Sequence, residues 1–204
     1  MLPASLVGGN QKLVQIVDAA MADSARRSGE WLACKPGCSQ CCVGVFAINQ
    51  LDAARLKGGL KELEVRDPER AARVRERAQA AVERLTPTFP GDAKTGILEE
   101  SPKPPELWND FGNDEPCPVL DPVTGTCELY EFRPMTCRVF GPPIMDEGEL
   151  GVCELCYDGV SDEEIAKCEM RPDPDNLEAA LVKQLEDEQG LTGKTIIAFA
   201  LGKP

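Results

Sequence analysis

The chain has 204 residues, a formal net charge of −13, ten cysteines and no histidine. Its acidic balance argues against a nucleic-acid surface, which needs clustered cations in excess. The lack of histidine removes His-ligated zinc, Cys2His2 fingers, the Ser-His-Asp triad, Cys-His nucleophile pairs and an axial haem histidine.

The hydrophobic share of 42% and aromatic share of 5% are low, while 18 glycines and 17 prolines imply many turns. Together they predict one domain over residues 1–204. It is mainly α with a short β hairpin and long irregular loops, and cross-links replace part of a conventional core. Residues 1–10 lack the basic and apolar stretches of a signal peptide, and no run approaches the roughly 18 apolar residues of a spanning helix. The expectation is therefore a cytoplasmic chain with no membrane segment and reduced thiols, which favours metal over disulfides.

In chain order, Leu13, Ile16, Val17, Ala20 and Met21 predict a helix over 11–27 that Gly29 stops. The run Cys34-Lys-Pro-Gly-Cys38-Ser-Gln-Cys41-Cys42 follows, with a tight turn at Pro36-Gly37. Such a loop aims several sulfurs at one centre at small entropic cost. Residues 43–48 predict a short strand or extended segment, and Asn49 caps a helix near 50–56 that Gly58-Gly59 ends. Asp67-Pro68 opens a helix over 68–85 with a narrow stripe of Ala71, Val74, Ala78, Ala81, Val82 and Leu85. The Pro-rich stretch 86–116 predicts a long irregular insertion, wrapped on the body by Leu107, Trp108 and Phe111.

Beyond it, Asp121-Pro-Val-Thr-Gly125 predicts a hairpin turn that pairs 119–120 with 127–130. Pro134 suits the first turn of a short helix carrying Cys137, which Gly141-Pro142-Pro143 ends. Ser161-Asp-Glu-Glu164 is a capping box for a helix containing Cys168. A further helix spans 177–189 behind Asn176, and the apolar tail 195–201 is a docked strand, a helical turn or a partner surface. Residues 158–204 thus form a C-terminal helical extension.

The thiol spacing carries the chemistry. C-x3-C-x2-C can wrap three iron corners of a cluster, whereas zinc ribbons show paired C-x2-C knuckles, and here only Cys153 and Cys156 have that spacing. Adjacent Cys41 and Cys42 diverge, so they face two centres or different atoms of one cluster. A vicinal disulfide would need strained geometry. The candidate metal ligands are Cys34, Cys38, Cys41, Cys42, Cys117, Cys127 and Cys137, with Cys153 or Cys156 as an eighth. Arg133 and Arg138 flank Cys137. They either donate to its sulfur neighbours or pair with surface carboxylates.

These motifs resemble the YkgJ-like cysteine-cluster family, the CxxCxxCC domain. The likeness rests on Cys34-x3-Cys38-x2-Cys41-Cys42, Pro116-Cys117-Pro-Val-Leu-Asp121, Cys127-Glu-Leu-Tyr130 and Arg133-Pro134-Met-Thr-Cys137-Arg138, over a core of about residues 31–157. The resemblance implies a cysteine-rich domain that chelates zinc or iron. Flagellin lysine methylases carry a similar run, thought to hold an iron–sulfur cluster. Radical-SAM enzymes share the first spacing, but here Gln40 stands before the third cysteine where they have an aromatic residue.

Three functional classes follow. The first is a metal-binding protein whose iron–sulfur cluster (preferred) or zinc is structural, transfers electrons or handles metal, with a protein partner left open. The second is an iron–sulfur-dependent oxidoreductase or protein-modifying enzyme. The third is a disulfide scaffold without metal.

Overall fold

Helix α1 (Ala4–Ser28) opens the chain. It starts earlier than residue 11 because Leu6 extends the buried stripe of Leu13 and Val17 by two turns. The computed structural model describes residues 1–99, 110–146 and 148–203. Residues 43–48 are extended, as expected, and are held by single antiparallel bridges, Val43 to Pro116 and Ile48 to Thr195.

Helix α2 (Gln50–Arg66) begins where Asn49 accepts a hydrogen bond from the Asp52 N–H at 2.9 Å. It runs through Gly58-Gly59 instead of ending there. Leu56, Leu60 and Leu63 are all buried, and that burial outweighs the roughly 1 kcal/mol that each helical glycine costs. Gly59 also has a packing role: a Cβ there would lie 2.3 Å from the Phe132 ring. Helix α3 (Pro68–Leu85) matches its predicted bounds, with Asp67 accepting from the Arg70 N–H at 3.0 Å.

Among its described residues the insertion forms a 3-10 turn (Thr86–Thr88) and a two-residue antiparallel pair, β1 (Gly91–Asp92) with β2 (Ile97–Leu98). Leu107 and Trp108 lie outside the described residues, while Phe111 is buried as expected. The hairpin around Asp121 shrinks to one bridge, Leu120 to Cys127. Helix α4 (Met135–Val139) carries Cys137, with Pro134 in the capping position. A second pair, β3 (Ile144–Asp146) with β4 (Glu149–Gly151), was not expected. Three-residue strands are too short to show alternation, and Gly148 between two apolar stretches was the available sign.

Helix α5 (Asp162–Lys167) stops one residue short of Cys168, which becomes its C-terminal cap. Helix α6 (Leu177–Gln189) keeps its predicted bounds but not its predicted cap. Asn176 is left-handed and makes no side-chain cap bond; the Asp173 carboxylate accepts the Leu177 and Glu178 N–H groups at 2.9 and 2.8 Å. The apolar tail is a docked helix, α7 (Ile197–Gly202), buried along Ile197–Leu201.

Three apolar clusters hold this arrangement. One joins α2, α3 and α7 with Ile48, Val119 and Leu129. Another joins α1 and α6 with Leu51, Met135 and Met170. In the third, Phe89 stacks on Phe199 at 4.2 Å and meets Phe111 edge-on at 6.0 Å. The fold is thus mainly α, with two small antiparallel strand pairs among its described residues. No described helix is long and apolar enough to cross a membrane.

Candidate metal centres

The cysteine run is a loop of two turns. Cys38 N–H donates to Lys35 O, and Cys42 N–H to Ser39 O, each at 2.9 Å. Two distant segments are spliced to it through backbone hydrogen bonds. On one side Cys117 N–H reaches Cys42 O at 2.7 Å and Gly44 N–H reaches Glu115 O at 2.9 Å. On the other, Tyr157 N–H reaches Trp31 O at 2.8 Å and Cys153 N–H reaches Gly141 O at 3.4 Å.

These splices sort the candidate thiols into two sets. Cys34 interacts with Cys38, Cys153 and Cys156, and Cys153 with Cys38 and Cys156. Cys42 interacts with Cys41, Cys117 and Cys127, and Cys137 with Cys41, Cys117 and Cys127. The adjacent Cys41 and Cys42 thus share one of these electrostatic groups. Both Cys153 and Cys156 join the other set. Cys168 is buried in one apolar cluster with Cys156 and Tyr157, and its carbonyl accepts from Ser24 Oγ.

The five-thiol set stands on the helical body. Glu128, next to Cys127, is buried and paired with Arg70 at 2.7 Å and with Arg77, both from α3. Asp52 of α2 accepts the Met135 N–H at 3.1 Å, which fixes the start of α4 and hence Cys137. Burial pushes the Cys117 thiol up to about 12 and raises Cys127 and Cys137 as well. The contact between the neighbouring Cys41 and Cys42 thiols lowers the Cys41 thiol and, together with burial, raises that of Cys42.

The four-thiol set stands on loops. Cys34 and Cys153 both lie beside Cys156, whose N–H closes the Cys153 turn at 2.8 Å. Burial and the neighbouring thiols push Cys34 up to about 12. Gly141 lies against this set with φ +119°, and a Cβ there would sit 2.6 Å from Cys34 Sγ.

The two flanking arginines diverge. Arg138 is buried and donates to Asp18 at 2.7 Å and to the Arg133 carbonyl at 3.3 Å, so it takes a carboxylate. Arg133 stacks on Tyr130 at 3.9 Å and lies close enough to favour the charged forms of Cys41 and Cys127. Its Nε–H is buried without an acceptor.

All ten cysteines are free thiols, and every donor in either set is sulfur. As they stand, no group of three or more described Cys, Asp or Glu residues is set to hold an ion. A metal bound by either set would displace the thiol protons. Raised thiols crowded in partly dry surroundings, beside an orphaned cationic N–H, are the donor chemistry that a soft metal relieves. What sequence could not reveal was the buried Asp52–Arg55 pair that anchors α4, because a charged pair on one helix turn reads as surface.

No curated protein and no solved structure matches the chain. The chain belongs to the CxxCxxCC family, whose model, described as a "Putative zinc- or iron-chelating domain", matches residues 33–156.

Proposed function

We propose that this chain is a cytoplasmic metalloprotein with two thiolate centres. One uses Cys34, Cys38, Cys153 and Cys156; the other uses Cys41, Cys42, Cys117, Cys127 and Cys137. The observation that carries it is that the candidate ligands act on one another electrostatically in two groups, each joined to the cysteine loop by its own backbone hydrogen bonds. Four thiols suit one four-coordinate metal. Five exceed that number, and with unpaired spacing and sulfur-only donors they favour an iron–sulfur cluster over zinc. Arg133 Nε–H would donate to a sulfur of that centre and offset its negative charge. The role is structural, electron-transferring or metal-handling, with a protein partner at the giving or receiving end.

Anaerobically purified protein assayed for iron, sulfide and zinc, with an absorption spectrum, tests this. Iron and sulfide with a band near roughly 400 nm support it. Colourless protein with only zinc removes the cluster, and folded protein free of metal removes both centres.

One observation favours a second reading, an iron–sulfur-dependent oxidoreductase or protein-modifying enzyme. A cleft of about 290 Å³ is walled in part by Met135 and Thr136, immediately before Cys137.

A further inference from the structure

The cleft beside α4 has a composition that selects its occupant. Asp52, Asp173 and Glu178 line it, and Lys194 is the one basic residue among the lining side chains. Asp52 is only 1% exposed and is neutralised by its ion pair to Arg55. Asp173 is committed to the two N–H groups that it caps. This leaves the cleft with a surplus of negative charge.

Two acceptors stay open. The Arg55 and Met135 hydrogen bonds to Asp52 both end on Oδ1, and Asn49 donates to Glu178 Oε1 at 2.8 Å. Asp52 Oδ2 and Glu178 Oε2 remain, on side chains that line the same space and interact electrostatically. The same lining includes the apolar side chains of Val17, Ile48, Met135 and Val139. A volume of about 290 Å³ is far more than one ion needs, since a water molecule's share is about 30 Å³. An anion would meet the wrong charge, and a wholly apolar ligand would leave the two open carboxylate oxygens unmatched.

We propose that this cleft binds a small aliphatic ammonium ion. Its nitrogen sits between Asp52 Oδ2 and Glu178 Oε2, and its hydrocarbon lies against Val17, Ile48, Met135 and Val139. The Asp52–Met135 hydrogen bond ties the site to the helix that carries Cys137, so a bound amine lies beside the five-thiol set. Binding itself does not require the metal centres.

The test is calorimetric titration of the full-length protein, its metal content measured beforehand, with n-pentylammonium chloride, sodium pentanoate and calcium chloride. The proposal expects saturable binding of pentylammonium, at least tenfold weaker binding of pentanoate, and a tenfold or greater loss in Glu178→Gln at unchanged thermal stability or better. If that variant does not fold, the contrast between pentylammonium and pentanoate on the unaltered protein decides alone. No saturation with pentylammonium, equal binding of pentanoate, or calcium binding in place of the amine overturns it. Metal-free protein that binds the amine upholds this inference and removes the metal reading; loaded protein that ignores the amine does the reverse.

Discussion

Cys117, Cys127 and Cys137 are held by the helical body, through the ion pairs of Glu128 with Arg70 and Arg77 of α3 and through Asp52 on α2, whereas Cys34, Cys38, Cys153 and Cys156 are held by turns. The first set would keep its framework without metal, because the apolar clusters of α2, α3 and α7 brace it. Around the second lies a small cluster of Cys156, Tyr157 and Cys168 with Leu32 and Val152, too little apolar surface to hold loops in place alone. In the proposed reading, one centre is preorganised and suits chemistry, and the metal itself must complete the other, which suits structure.

The largest effect that separates them is metal removal. Stripping with a chelator should abolish amide-exchange protection around residues 31–39 and 152–168 while α2, α3 and α7 keep theirs. Structural thiolate sites contribute about 10–16 kcal/mol, so the loop region should lose nearly all its order. Simultaneous opening of both regions would erase the distinction.

Glu128→Gln should come next. It leaves Arg70 and Arg77 without their carboxylate and should cost about 2 kcal/mol, below the value for fully buried pairs because both arginines reach solvent. Urea denaturation reads the loss, and metal analysis should show it confined to the five-thiol centre. Gly141→Ala attacks the other side. Its Cβ would collide with Cys34 Sγ in a left-handed backbone, at about 1–3 kcal/mol, and should lower metal occupancy of the four-thiol set alone.

Arg133→Met should weaken metal binding at the five-thiol centre roughly tenfold and shift its absorption spectrum, with Arg133→Lys between the two. Equal spectra in all three would mean that the buried Nε–H serves no sulfur. The smallest effect lies in the cleft. Burial and the Asp52 carboxylate raise the Glu178 carboxyl, so the ionised form costs stability at neutral pH. Glu178→Gln should raise the melting temperature by about 1–3 °C at pH 7. A raised acid is most favourable below its unfolded value and loses that advantage as pH rises through its folded value. The difference should therefore vanish as pH falls toward about 4.

Local signals made much of this legible beforehand. Asp67-Pro68 and the small-residue stripe place α3 within its bounds, and the motifs place the chain in its family. Errors arose where distant contacts overruled local ones. Gly58-Gly59 reads as a stop, yet Phe132 needs the room at Gly59 and buried leucines carry α2 onward. Asn176 reads as a cap, yet Asp173 reaches both N–H groups. The division of thiols was beyond reach because it depends on backbone pairing of Cys42 with Cys117 and of Trp31 with Tyr157, contacts with no local signature.

The central claim is that the two sets bind metal separately. Metal content per folded chain, compared in Cys38→Ser/Cys156→Ser and Cys117→Ser/Cys137→Ser, tests it most directly, with circular dichroism as the check on folding. The account predicts that each double variant loses its own centre and retains the other, the first keeping the iron and sulfide and the second keeping one four-coordinate metal. Loss of all metal from either folded variant, or the same residual content in both, would contradict it.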